Sequence, residues 1–205
     1  MRILLRSTVL ALLLLGAYAL FGPYIKNMLY AMRLASMPVP AALPVPVRGV
    51  EPRALRDTWH GARSEGRKHE GIDIFAKRGT AVTAATEGVV LRVSTNRLGG
   101  QVVWVLGPGG QRHYYAHLDR YADIENGQRV RPGTVLGYVG TTGNAKGTPP
   151  HLHYGIYESG GAINPYPFLR AGDGARVAQA QAGRMSLIEV AASAASALFG
   201  ALKPR

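Results

Sequence analysis

Residues 66–90 read GRKHEGIDIFAKRGTAVTAATEGVV, and this stretch decides the fold. Glycines at 66, 71, 79 and 88 mark turns or places where backbone comes close. Between them lie short runs of Ile, Val and Thr, which suit strands rather than helices. Extended chain alternates its side chains with period two, so His69 and Asp73 can share one face.

The same texture continues in both directions along the chain. Thr80–Ala84, Gly88–Val93, Gln101–Leu106, His113–His117, Thr134–Val139 and His151–Tyr157 are predicted strands. Gly107-Pro108-Gly109-Gly110, Glu125-Asn126-Gly127 and Arg131-Pro132-Gly133 are turn signals between them. Residues 58–170 therefore read as one mostly β, antiparallel domain, a sandwich or a partly closed barrel.

Upstream, residues 7–25 (STVLALLLLGAYALFGPYI) carry no charge, and nineteen helical residues reach about 28 Å, close to the roughly 30 Å apolar core of a bilayer. Residues 1–36 read as a membrane anchor with basic flanks: Arg2 and Arg6 before the run favour a cytoplasmic N-terminus, although Lys26 and Arg33 follow it. A cleaved signal is the alternative, because Ala17-Tyr18-Ala19 fits the small-x-small rule. Either reading exports the remainder. Residues 37–57 are rich in proline and poor in large side chains, so they read as a spacer lifting the domain from the membrane. Residues 171–205 form an Ala-rich tail, in which Ser186 to Lys203 has weakly amphipathic helical spacing.

The chain has 24 Lys plus Arg against 12 Asp plus Glu, a formal charge of +12. Much of the excess lies in the terminal segments; residues 37–170 hold 16 basic and 10 acidic residues. That surface suits a polyanion, and a wall polymer bearing carboxylates is one; no nucleic-acid-binding signature accompanies it. There is no cysteine, which excludes disulfides, thiolate ligands and a Cys nucleophile.

Four of the six histidines stand in three small motifs: His69 with Asp73 in H-x-x-x-D, His117 in YAHL, and His151 with His153 in H-x-H. On a strand, Leu152 would enter the core while both flanking imidazoles face a cleft. Imidazole and carboxylate suit zinc, which in catalytic sites takes three protein ligands and keeps a position open. Five candidate groups exceed three, leaving imidazoles for proton transfer. His113 shares strand parity with His117 and reads as an exposed histidine or a neighbour of the cleft. Tyr115 and Tyr154 read as groove lining or as strand packing.

In combination these motifs resemble the LytM and lysostaphin-type zinc endopeptidases, which cut peptide bridges of bacterial peptidoglycan. The resemblance rests on G-R-x-H-x-G-x-D-I at Gly66–Ile74, G-T-x-V-x-A-x-x-x-G-x-V at Gly79–Val90 and Y-A-H-L at Tyr115–Leu118. It continues with N-G-Q-x-V-x-x-G at Asn126–Gly133, G-x-V-G-x-T-G at Gly137–Gly143 and P-H-L-H-Y at Pro150–Tyr154. It implies a barrel-sandwich hybrid fold and one zinc ion bound by His69, Asp73 and His153, with His117 and His151 as the catalytic pair. It also implies wall peptides as substrate, in the periplasm or outside the cell. A non-catalytic relative that binds the wall and activates amidases or scaffolds a complex is the alternative. Two departures bear on substrate preference: Pro149 stands where glycine often does, and Gly155 where many relatives carry glutamate.

Overall fold

The computed structural model describes residues 2–172; the helix expected over Ser186 to Lys203 lies outside them. A long helix, α1 (Arg2–Ser36), is followed by nine strands. These are β1 (Ile72–Phe75), β2 (Ala81–Thr83), β3 (Gly88–Asn96), β4 (Gly100–Leu106), β5 (Arg112–Tyr121), β6 (Arg129–Val130), β7 (Val135–Val139), β8 (His151–Glu158) and β9 (Gly161–Ile163). All pair antiparallel, as the composition and turns led one to expect.

The main path runs β1-β8-β5-β4-β3-β6. Strand β5 is the branch point: its first half lies between β4 and β8, and its last residues turn to pair with β7, which in turn carries β2. The sheet thereby folds back over itself and encloses a core of Ile72, Ile74, Val82, Val90, Val103, Val105, Leu118, Leu136, Leu152 and Ile156, with their neighbours. Burial of each such side chain contributes on the order of 1.5–3 kcal/mol. The six predicted strands correspond to β2, β3, β4, β5, β7 and β8. The other three are two to four residues long, too short for alternation to show.

The proline-rich stretch departs from expectation. Leu43, Val45 and Val47 are core side chains, Val47 pairs with Val82, and the Leu43 N–H donates to the Phe168 carbonyl at 2.9 Å. Proline content made this segment look like a spacer, but extended chain with apolar residues at alternate positions is also what an edge of this domain needs. It packs onto the domain and does not lift it.

Candidate active site

Strand β8 presents His151 and His153 on one face and sends Leu152, fully buried, into the core. Its neighbour β1 pairs Asp73 with His153 and Phe75 with His151, so register alone places the carboxylate beside the imidazoles. His69 lies before β1 in a turn-back of chain where its N–H donates to the Gly61 carbonyl and its own carbonyl accepts from the His60 N–H, both at 2.9 Å. Gly71 allows this crowding: a Cβ there would stand 2.6 Å from the Tyr154 carbonyl oxygen and 2.7 Å from the His153 ring.

The result is a tight triangle. His69 Nε2 lies 2.8 Å from His153 Nδ1 and 3.1 Å from Asp73 Oδ1, and His153 Nδ1 lies 3.3 Å from the same oxygen. The tautomer of His69 is fixed from behind, because its Nδ1 sits 2.7 Å from the Thr58 carbonyl, which can only accept. Neutral His69 therefore turns a lone pair toward the other two groups. Thr58 also receives the Asp73 N–H on its hydroxyl at 3.0 Å. Arg63 engages the second carboxylate oxygen, Oδ2, leaving Oδ1 for the triangle.

Electrostatics at this point call for a cation. Burial alone would raise the Asp73 carboxyl, but its contacts with His153 and His69 outweigh burial and hold it well below the usual carboxylate range. Burial pushes the His153 imidazolium the other way, downward, so protons are poor occupants. The three donor atoms form a cluster that can hold a metal ion. Zinc bonds of about 2.0–2.1 Å at tetrahedral angles imply ligand separations of about 3.3 Å, near the edges of this triangle.

His117 arrives by a different device. Gln101 pairs with Leu118 but Val103 pairs with Tyr115, so β5 carries one extra residue, a bulge. His117 sits in it with φ of 64°, in the left-handed region that side chains seldom adopt. Without the bulge it would share the core-facing side of His113 and Tyr115; with it, His117 lines the cleft and Leu118 returns to the core. Its Nδ1 donates to the Thr142 carbonyl at 2.9 Å, and Thr142 is itself held through its hydroxyl by Leu118 O and the Gln101 N–H. His151 Nδ1 likewise donates to Pro149 O at 2.8 Å. In the neutral ring this leaves Nε2 as the acceptor in each, and that of His151 is 3.9 Å from Asp73 Oδ1. The two ring centroids are 5.0 Å apart. Burial, then the neighbouring His153 and His151, push His117 down to about 4, so it is neutral near pH 7.

All five residues singled out from the sequence therefore meet in one cleft of about 920 Å³. Others do not meet the expectation. His113 is neither exposed nor near the cleft: it is fully buried, with Nδ1 2.7 Å from the Tyr154 hydroxyl. Of the two readings of Tyr115 and Tyr154, strand packing holds and groove lining does not, since both are fully buried core side chains. The groove wall is instead Trp104, Tyr114 and Tyr157, with the Trp104 ring centroid 4.3 Å from that of Tyr114 and 5.3 Å from that of Tyr157. Alternation along β4, β5 and β8 from Leu152 and Val103 would have found these three. Gly155 makes room for the Tyr157 ring, whose nearest atom would lie 3.0 Å from a Cβ there. Arg63 and Thr58 had no signal in the sequence, since neither belongs to a motif.

Residues 67–165, which contain all five, match the model of peptidase family M23. The L-Ala–D-Glu endopeptidase of Bacillus subtilis is 43% identical over 63% of this chain and 43% of its own length. The catalytic domain of the antimicrobial peptidase lysostaphin from Staphylococcus simulans superposes with a TM-score of 0.52 at 28% identity, over 58% of this chain and 95% of that one. The LytU structure gives a TM-score of 0.51 at 33% identity, over 60% of this chain and 88% of LytU. The chain belongs to peptidase family M23. It spans less than half the length of the B. subtilis relative.

Proposed function

We propose that this protein is a zinc-dependent endopeptidase that hydrolyses peptide cross-links or stem peptides of bacterial peptidoglycan, anchored in the cytoplasmic membrane by α1 with its domain on the outer, periplasmic side. The observation that carries this reading is the convergence of His69, Asp73 and His153 in a triangle of lone pairs flanked by two more imidazoles whose Nδ1 atoms are already committed. Two imidazoles and one carboxylate, with no thiolate in the chain, match the donor sets of catalytic zinc. When bound there, zinc supplies Lewis acidity, acidifying water and polarising a carbonyl.

The chain's own residues do the rest. A peptide carbonyl attacked by water needs one proton removed from the water and one delivered to the departing amine. His117 and His151 hold acceptor Nε2 atoms facing the cleft, so this pair takes the first proton, returns it to the leaving nitrogen as the C–N bond breaks, and steadies the oxyanion between these steps. Arg63, Lys68 and Arg97 line the same cleft, a charge balance suited to peptides carrying free carboxylates. Trp104, Tyr114 and Tyr157 offer a flat wall for the peptide backbone.

Two measurements on the purified full chain test the reading: metal content, and mass profiling of muropeptides released from sacculi. One zinc per chain with new cleaved peptides is the expected result. His69→Ala should lower bound zinc at least tenfold and abolish cleavage. Stoichiometric zinc with no cleavage of sacculi of any cross-link chemistry would transfer the protein to the wall-binding, amidase-activating role.

A further inference from the structure

Helix α1 is unbroken from Arg2 to Ser36, 35 residues and about 52 Å. About 20 residues cross a bilayer core, so its last turns stand clear of the hydrocarbon. Those turns have two faces. Asn27, Tyr30 and Leu34, spaced three and four apart, dock on the domain: Asn27 Nδ2 donates to Gly127 O at 2.9 Å, the Tyr30 hydroxyl to Glu87 Oε2 at 3.2 Å, and Leu34 is fully buried. Arg129 clamps the junction, donating to Lys26 O at 2.8 Å and Asn27 Oδ1 at 3.2 Å while its guanidinium lies 4.4 Å from the Tyr30 ring centre. The other face shows Ile25, Met28, Leu29 and Met32, each at least half exposed.

Among the described residues that second stripe is unpartnered, yet it is continuous with the exposed apolar side chains from Leu10 to Phe21. Exposed Lys26 and Arg33 flank it on one side of the helix, and exposed Arg129 adjoins that flank through its bond to the Lys26 carbonyl. Apolar stripe and basic fringe together match an interface where acyl chains meet anionic headgroups. Resting on the reading of α1 as a membrane span, we propose that the last turns of α1 and the domain edge they dock on form one lipid-contacting surface. Ile25, Met28, Leu29 and Met32 lie in the headgroup boundary, and the basic trio contacts anionic phospholipid.

The consequence concerns reach. No slack separates membrane from domain: Leu34 is already core, and Leu43, Val45 and Val47 follow it. The helix end touches the Pro108–Gly110 turn that leads into β5, with Val39 against Gly109. His117 lies midway along that strand, five residues from Arg112, or about 17 Å of extended chain. A cleft held this way meets wall peptides close to the bilayer and not those farther out.

The chain lacks cysteine, so single cysteines can carry a bimane label at chosen positions. Full-length Leu15→Cys, Met32→Cys and Lys146→Cys variants in nanodiscs of phosphatidylglycerol and phosphatidylethanolamine, with doxyl-labelled lipid as quencher, read the surface directly. At least twofold quenching at positions 15 and 32, with none at 146, supports the proposal. Quenching at 15 alone overturns it while leaving the anchor intact; no quenching at 15 removes the anchor and the proposal together. A disulfide between two Met32→Cys chains in the same discs would give the stripe to a second copy and overturn it as well.

Discussion

His113 and His117 stand four residues apart on one strand, and both have their imidazolium pushed down to about 4, yet only one belongs to the cleft. For His113 the cause is burial alone: it is enclosed near Thr86, Gly107 and Tyr154, with Nε2 lacking a hydrogen-bond partner among the described residues. For His117 burial acts together with His153 and His151, and its Nδ1 is anchored on a backbone carbonyl. A depressed imidazole pKa thus records desolvation, whatever its use. What separates the two residues is backbone: one inserted residue in β5 turns His117 from the core side to the cleft side.

The largest effect should come from removing the cleft member. His117→Ala should keep bound zinc and lose about 10²–10⁴ in turnover, the range of a positioned acid–base group. Parallel metal analysis and peptide hydrolysis assays check it; turnover within threefold of the parent would place both histidines in the same, structural category.

The core member should speak through stability instead. Unfolded, His113 titrates near 6.5; folded, near 4, so as pH falls the unfolded chain takes up the proton first. Its contribution is complete above about pH 6.5 and erodes between 6.5 and 4, by about 3 kcal/mol in total. His113→Gln should therefore flatten the stability profile in that window by most of this amount while leaving cleavage at neutral pH nearly intact. Denaturant unfolding of both proteins at several pH values measures it, and the difference between them cancels loss of metal common to both. Identical pH slopes would dissolve the contrast.

Much of this arrangement was legible before coordinates. Alternation of Val, Ile and Tyr fixed β2 to β5, β7 and β8, and H-x-H with Leu152 between gave the facing of β8. Period-two reasoning failed at His113 because parity holds only while pairing is regular, and a bulge is a tertiary choice that YYAHLD does not announce. It failed for residues 37–57 because proline content says how chain travels, and not whether a groove of apolar residues waits for Leu43, Val45 and Val47. Arg63 was invisible for a related reason: its contact with Asp73 joins a loop to a strand without a motif spacing.

The bulge itself supports a finer test. A non-glycine residue held at φ of 64° costs on the order of 1 kcal/mol, and asparagine tolerates that region better than most side chains. His117→Asn should then fold with a stability within about 1 kcal/mol of the parent, since relief of backbone strain offsets lost ring contacts, while cleavage falls as far as in the alanine variant. Gly140 sharpens the point, because a Cβ there would stand 2.4 Å from the Asp119 nitrogen and 2.8 Å from the His117 carbonyl oxygen. Gly140→Ala presses on the bulge from outside and should cost more stability than His117→Asn although it deletes no functional group. Thermal unfolding of the two variants ranks them; the reverse order would mean that the ring, and not the backbone path, holds the bulge in place.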